Sequence, residues 1–207
     1  SSSTTFGPEI TCGRRLVDLL KPVAFSRVAI VKYSAGGTSL YSDWKAGGNA
    51  TTAGDGPQYV SFQSMVSGGL AALAAAYPSA EITIEGMTWM QGESDVPTAS
   101  AAYNANLTAF IADVRLTYNL PNLPFVVARL SASQTGAGNV MLLNVVRQAQ
   151  TAVAAADRWT GLVNTDSFSL KSDYLHFDAA GQQSLGYAFA EALLNLRPAK
   201  GTQMLVK

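Results

Sequence analysis

The chain has 207 residues, which is enough for one sizeable domain with its own hydrophobic core. Its 14 basic and 14 acidic residues cancel and form no basic stripe, which argues against nucleic acid and an anionic membrane as partners. The single cysteine, Cys12, excludes an internal disulfide, and no Cys/His cluster has the spacing of a zinc site.

Strand-like and helix-like segments alternate along the chain. In chain order, the apolar patterns predict a helix over residues 9–20, a strand over 27–33, a helix over 59–77, a strand over 81–90, a helix over 98–118, a strand over 124–130, a helix over 140–156, a strand over 161–165 and a helix over 179–196. The Gly- and Thr-rich stretch 45–58 predicts a surface loop, and the Ala-rich run 69–77 is too short to span a membrane. Apolar strands that alternate with helices predict a single α/β domain over residues 1–207, with a central parallel sheet between helical layers.

The first element in this order is a helix. In a right-handed parallel α/β unit such a helix follows a strand. In doubly wound sheets of order 2-1-3-4-5 the first strand is central, so its loss would leave two unpaired edges and an apolar trench. We therefore expect the domain to be N-terminally incomplete, with a further segment upstream of residue 1 that belongs to the same chain or binds as a separate piece.

Functional groups of such folds collect at the carboxyl ends of the strands. The first candidate segment there is the turn at Gly36 and Gly37, which follows the predicted strand 27–33. Paired glycines let backbone N–H groups approach a bound oxygen closely, as an oxyanion hole requires. The alternative is an ordinary glycine-rich turn, which is the better assumption for this motif on its own.

The second candidate segment reads Trp-Met-Gln-Gly-Glu-Ser-Asp over residues 89–95 and follows the next predicted strand. The side-chain amide of Gln91 is a candidate oxyanion donor, because Asn and Gln side chains serve that role in acyl transfer. Glu93 is a candidate carboxylate at the strand end, hydrogen-bonded to loop N–H groups. The alternative is a helix N-cap formed by Ser94 or Asp95, which is compatible with the first interpretation.

The third candidate segment contains the only histidine, His176, three residues after Asp173. At this spacing both lie on one side of a turn, so the carboxylate can accept from Nδ1–H and leave Nε2 free to take a proton from a hydroxyl nucleophile. The alternative is a surface histidine in a loop, which is the better starting assumption for a lone histidine. The joint occurrence of the three segments favours one catalytic site.

These motifs resemble those of the SGNH-hydrolase superfamily. They are Gly-Gly-Thr-Ser-Leu at 36–40, Trp-x-Gln-Gly-Glu-Ser-Asp at 89–95 and Asp-x-x-His-Phe at 173–177. The branch that they resemble is carbohydrate esterase family 6, the acetylxylan esterase-like proteins, together with the sialate O-acetylesterase-like proteins. Phe-Gly-Pro-Glu at 6–9 and the start of the closing helix at 177–182 extend the resemblance over residues 6 to 195. Trp-x-Gln-Gly-Glu-Ser is specific to this branch, whereas Asp-x-x-His is shared more widely.

The resemblance implies a flavodoxin-like three-layer α/β/α fold and a serine esterase that removes acetyl groups from sugars. It implies that His176 is the general base and Asp173 its orienting acid. It also implies oxyanion donors at Gly36, Gly37 and Gln91, and a supporting position for Glu93. The implied substrate is an acetylated carbohydrate such as acetylxylan, the implied reaction needs no metal or other cofactor, and the implied location is periplasmic or secreted.

The nucleophile is the departure from the family pattern. The family carries its serine in an early Gly-Gln-Ser-Asn block, which occurs nowhere in this sequence and which we expect upstream of residue 1. Ser39 and Ser94 are weak substitutes, because neither lies in a Gly-x-Ser-x-Gly elbow.

Two other functions remain open from the sequence. One is a non-catalytic carbohydrate-binding remnant that lost its serine, although sugar binding alone does not require the Asp173–His176 pair. The other is a nucleotide or phosphate binder of similar fold, which the sequence disfavours because it lacks a glycine-rich phosphate loop. The aromatic residues Tyr41, Trp44 and Trp89 are candidates either for a sugar platform or for core packing.

Overall fold

A computed structural model describes residues 6–20 and 27–197 of the chain. Its helices are α1 (Glu9–Leu20), α2 (Pro57–Ala76), α3 (Tyr103–Thr117), α4 (Val140–Ala156) and α5 (Ala179–Leu196). Its strands are β1 (Met87–Trp89), β2 (Phe125–Arg129) and β3 (Thr160–Asn164), and short 3-10 turns lie at residues 93–95, 100–102 and 135–137. The three strands form a parallel sheet flanked by helices, which confirms the predicted α/β class and the flavodoxin-like SGNH fold.

β2 lies between the other two strands and is buried on both faces. Phe125 is aligned with Met87 of β1 and with Thr160 of β3. Positions 125 and 127 face a core that α3 and α4 cover, and positions 126 and 128 face a second core that α1 and α5 cover. This two-sided burial explains why the strand reads as a continuous apolar run.

Most predicted elements are confirmed within a few residues. α1, α4 and α5 have the predicted bounds, and the Asp178 carboxylate accepts the N–H of Gly181 at 2.8 Å as the N-cap of α5. α3 begins five residues later than predicted because two 3-10 turns precede it.

The prediction of a buried strand over residues 27–33 is wrong for the described structure. No described strand pairs with this segment, and Ile30 within it is 43% exposed. The predicted strand 81–90 is regular only over β1, and β1 pairs with β2 alone among the described strands. The absent strand at 27–33 and the shortened strand at 81–90 have the same physical reason. A segment forms a strand only where a neighbouring strand pairs with its backbone N–H and C=O groups.

Helix α2 packs beside the segment 27–33 and is otherwise largely exposed. Tyr33 donates its hydroxyl to Gln58 Oε1 at 2.5 Å, and Gly69 gives Val31 room against the helix. By length and composition α2 is also apolar enough to cross a bilayer. A single helix of this kind is weak evidence for a membrane span, because helices of soluble proteins pass the same test.

Candidate active site

His176 and Asp173 lie in the loop between β3 and α5, beyond the carboxyl end of β3. His176 Nδ1 lies 2.8 Å from Asp173 Oδ2, while Asp173 Oδ1 accepts the backbone N–H groups of His176 at 3.0 Å and Leu175 at 2.9 Å. The backbone N–H of His176, then its imidazole and the N–H of Leu175, hold the pKa of the Asp173 carboxyl well below its usual value. An ionised Asp173 assigns the imidazole proton to Nδ1, so the lone pair lies on Nε2.

The imidazole is accessible from solvent. The His176 side chain is 64% exposed, and its Nε2 makes no hydrogen bond to any residue in the described ranges. The Ser39 hydroxyl lies 2.8 Å from the Ser42 hydroxyl and is bonded to Asp43, and the Ser94 hydroxyl is not bonded to the imidazole either. A hydroxyl nucleophile can therefore approach Nε2, and no serine of the described chain is bonded there.

The glycine turn presents unbonded N–H groups. Gly37 has a φ of 70°, a left-handed conformation that favours glycine, and a Cβ at Gly36 or Gly37 would have no heavy atom within 4 Å. Neither glycine N–H donates to a residue within the part of the chain that the structure describes. Two backbone donors are thus free for a bound oxygen.

The Gln91 side chain is used inside the protein. It is 8% exposed, and its Nε2 donates to the Thr38 carbonyl oxygen at 3.1 Å and to Asp95 Oδ2 at 2.6 Å. Its Oε1 accepts from the Tyr103 hydroxyl at 3.2 Å. Both amide protons have protein acceptors, so donation to a substrate oxygen requires that the longer bond, to Thr38, is exchanged for it.

Asp95 is fully buried and contacts the same loop. Its Oδ2 accepts the Leu40 N–H at 2.8 Å, and its Oδ1 accepts the Tyr41 N–H at 3.1 Å. The alternative, a helix N-cap formed by Ser94 or Asp95, is wrong, because both residues lie inside the 3-10 turn at 93–95 and no side-chain cap is made there or at the turn at 100–102. The Asp95 carboxylate satisfies backbone groups of residues 40 and 41 instead.

Glu93 joins the second candidate segment to the histidine loop through Gln134. Gln134 is fully buried, and its Nε2 donates to Glu93 Oε1 at 3.2 Å and to the Leu175 carbonyl oxygen at 2.8 Å. Its Oε1 accepts the Ser131 N–H at 2.7 Å. Burial raises the pKa of Glu93, and the bond from Gln134 and the nearby imidazole of His176 oppose that shift.

The three predicted segments are therefore joined to one another at the carboxyl ends of the strands. The Gln91–Thr38 bond joins the glycine turn to the segment after β1, and Gln134 joins that segment to the histidine loop. The contact of Asp95 with residues 40 and 41 and the role of Gln134 were not predicted from the sequence. The signal for Gln134 was its place in the loop after β2, the one strand end that had no assigned polar group.

The aromatic candidates divide into core and surface. Trp44 and Trp89 are 4% and 5% exposed and pack edge to face with ring centroids 5.0 Å apart, so the sugar-platform interpretation is wrong for both. Tyr41 is 60% exposed and its backbone N–H is held by Asp95. Only Tyr41 of these three offers a ring face to a ligand.

The acidic and imidazole side chains do not form a metal centre in the described ranges. No group of three or more His, Cys, Asp or Glu residues there is placed to hold a metal ion. The imidazole of His176 instead has the Asp173 carboxylate as its hydrogen-bond partner.

Comparisons with known proteins bear on the family and the fold. A family model described as carbohydrate esterase, sialic acid-specific acetylesterase, matches residues 1–195. A probable carbohydrate esterase of Arabidopsis thaliana is 32% identical over 114 residues, which are 54% of this chain and 41% of that protein, so the match spans less than half of the relative. An X-ray structure of an Arabidopsis thaliana protein superimposes with a TM-score of 0.73 at 24% identity, over 92% of this chain and 69% of the other, and shows the shared fold.

Proposed function

We propose, from the premise that this chain belongs to the carbohydrate esterase family of sialic acid-specific acetylesterases, that it removes O-acetyl groups from sugars. The observation that carries the proposal is the oriented Asp173–His176 pair, with its free Nε2. Sugar binding alone gives no reason to orient an imidazole in this way, whereas acyl transfer to a hydroxyl nucleophile does.

The proposed reaction is acyl transfer through a serine ester. The serine oxygen attacks the acetyl carbonyl carbon while His176 Nε2 takes the serine proton, and the N–H groups of Gly36 and Gly37 stabilise the oxyanion. The bond from the acetyl carbon to the sugar oxygen then breaks, and the imidazolium returns its proton to that oxygen. Water attacks the acetyl-serine with His176 as base, acetate leaves, and the serine regains its proton.

We propose that the serine lies upstream of residue 1. Support comes from two segments that lack a strand partner in the described structure: β1 pairs with β2 alone, and the apolar residues 27–33 pair with no described strand. A further parallel strand beside β1 would pair with its open side, and the carboxyl end of that strand would lie at the same end of the sheet as His176. Such a strand could belong to the same chain or bind as a separate piece.

The proposed substrate is an O-acetylated polysaccharide or glycan, with acetylxylan and O-acetylated sialic acids as the two classes to compare. The zero net charge of the chain gives no preference for a polyanionic substrate, so neutral acetylxylan is a fair first choice. Acetylated polysaccharides such as xylan lie outside the cell, and we therefore propose a secreted or periplasmic location.

The first test is labelling of the natural protein with a fluorophosphonate, followed by digestion and mass spectrometry. We expect one modified serine, on a peptide outside residues 1–207. A label on Ser39 or Ser94 would refute the upstream serine and leave the esterase intact. Absence of any label would favour the carbohydrate-binding remnant.

The second test is hydrolysis of 4-nitrophenyl acetate, acetylxylan and O-acetylated sialic acid by the wild type and by His176→Ala. We expect the substitution to lower kcat by about 10³-fold or more, because it removes the base from a unit whose members act together. Unchanged turnover in the variant would overturn the proposed mechanism.

A further inference from the structure

The Asp95 carboxylate binds a chain segment that lies 55 residues before it. Both of its oxygens accept backbone N–H groups, those of Leu40 at 2.8 Å and Tyr41 at 3.1 Å. The Gln91 amide donates to Oδ2 at 2.6 Å and to the Thr38 carbonyl at 3.1 Å, so the same segment is held at a third point. Residues 38 to 41 are therefore attached to the end of β1 by a buried polar cluster.

A fully buried carboxylate is costly unless donors surround it. For Asp95 those donors are two backbone N–H groups and one amide, and none is a cation. Packing alone would anchor this loop, because the Leu40 side chain is 1% exposed. The carboxylate adds direction, since it fixes where two consecutive peptide planes point.

We infer that Asp95 is the positioning residue of the oxyanion loop. Gly36 and Gly37 carry the free N–H groups and precede the held residues directly, so the direction of their peptide planes depends on the anchor at Leu40 and Tyr41. The inference rests on the proposed esterase function and assigns to Asp95 no contact with substrate. It predicts that loss of the carboxylate lowers the rate of the chemical step while substrate binding changes little.

Asp113 offers a matched control. It is 1% exposed and also accepts two loop N–H groups, those of Gly48 at 3.1 Å and Ala50 at 3.5 Å. Asp113→Asn therefore makes the same chemical change in a buried loop anchor. Its loop is separate from the glycine turn and carries none of the candidate site residues.

The test compares Asp95→Asn, Asp113→Asn and the wild type in the natural full-length protein. We expect Asp95→Asn to lower kcat on 4-nitrophenyl acetate about 100-fold with KM within about threefold, because a displaced oxyanion donor costs a rate factor of this order. We expect Asp113→Asn to keep kcat within about threefold of the wild type. A kcat for Asp95→Asn that equals that of Asp113→Asn would overturn the inference.

Amide hydrogen exchange gives a readout that does not depend on activity. In the wild type, the amides of Leu40 and Tyr41 should exchange slowly and those of Gly36 and Gly37 fast, which requires no variant to fold. Fast exchange at Leu40 and Tyr41 would also overturn the inference. A wild type without turnover would refute the proposed function, whereas an active wild type with an equally active Asp95→Asn refutes this inference alone.

Discussion

Asp173 binds His176 at two points, with Oδ2 2.8 Å from Nδ1 and with Oδ1 accepting the backbone N–H at 3.0 Å. The second bond fixes the backbone that carries the ring, so the orientation of the imidazole does not depend on the ring contact alone. The two residues are three apart in sequence, and the whole unit therefore forms within one local turn. The relative orientation of the two side chains is therefore set inside the turn, while Gln134 holds the turn itself through the Leu175 carbonyl oxygen.

The first prediction concerns Asp173→Asn. We expect kcat on 4-nitrophenyl acetate to fall about 10³-fold or more, because an amide at this position can donate to Nδ1 and favour the wrong tautomer. Since the pKa of Asp173 is held below its usual value, its ionisation should not limit the wild-type rate anywhere above pH 4.

Asp178→Ala is the control for that substitution. Asp178 lies five residues later and caps α5, so its loss should lower the thermal midpoint of unfolding without a large change in kcat. Equal losses of activity in both variants would mean that the Asp173 effect is structural.

The second prediction concerns Gln134→Leu. The substitution removes the donor to the Leu175 carbonyl, next to His176, and leaves that part-buried oxygen without its protein donor. We expect the free energy of unfolding to fall by about 1–3 kcal/mol and the NMR signal of the only imidazole to shift. Gln150→Leu is the control, because Gln150 is also fully buried but bonds the Leu130 N–H and the Gln91 carbonyl instead. An imidazole signal that moves equally in both variants would contradict a specific role for Gln134.

The third prediction separates Tyr41 from Trp44. Tyr41→Ala should raise KM for acetylated xylo-oligosaccharides several-fold and leave KM for vinyl acetate unchanged, because this small ester has neither a sugar face nor an aromatic ring to stack on the exposed tyrosine. Trp44→Ala should instead lower the free energy of unfolding by about 3–5 kcal/mol, since the side chain is buried in an aromatic cluster. Equal KM changes on both substrates would argue against a sugar contact at Tyr41.

The sequence was sufficient where structure is local. Helix α5 begins at its Asp178 cap and β2 is one continuous apolar run, and both were predicted nearly to the residue. The segment 27–33 was not, because a strand is defined by its neighbours and no described strand lies beside it. The apolar pattern of residues 27–33 is the same with or without a pairing strand, so the sequence of the segment cannot show whether it forms a strand.

The candidate site shows the same division. The three loop segments were recognisable from their motifs, but the bonds that join them run between residues 40 to 60 positions apart. Gln134 and Asp95 act through such long-range bonds, and their own neighbours in sequence look like ordinary loop residues. For Trp44 a sugar platform and core packing were both open, because sequence does not show which aromatic rings a core encloses.

The fourth prediction concerns acid stability. Asp166 forms salt bridges with Arg147 at 2.7 Å and with Arg129 at 2.8 Å. The pKa of Asp166 is lowered to about 2, chiefly by the hydrogen bond from Arg147. Because the pKa of Asp166 is lower in the folded protein than the value of about 4 in the unfolded chain, ionised Asp166 stabilises the fold at any pH above about 4. This contribution to the free energy of unfolding is lost as the pH falls toward 2. Asp166→Asn should therefore lower the thermal midpoint at pH 7, and the difference from wild type should vanish near pH 2.

Glu191→Gln is the control for Asp166. The Glu191 ion pair with Arg15 is more exposed, so its loss should change the thermal midpoint little at any pH. A constant difference between Asp166→Asn and wild type from pH 7 to pH 2 would show that the effect is not ionic.

The fifth prediction concerns the contact of α1 with α5 at Gly186. A Cβ there would meet the Pro8 carbonyl oxygen and Thr11 Oγ1, so Gly186→Ala should destabilise the protein by about 1–3 kcal/mol despite the better helix propensity of alanine. Gly68→Ala is the control, because a Cβ at Gly68 has no atom within 4 Å, and this substitution should stabilise α2 by up to about 1 kcal/mol.

The reactivity of Cys12 in α1 gives a second measurement of this contact. Burial raises the pKa of the Cys12 thiol to about 11, so the thiol reacts slowly with disulfide reagents. Gly186→Ala should speed the reaction of Cys12 with a disulfide reagent, because it pushes α1 away from α5, and Gly68→Ala should not. Equal reaction rates in the two variants would mean that α1 accommodates the new methyl group without separating from α5.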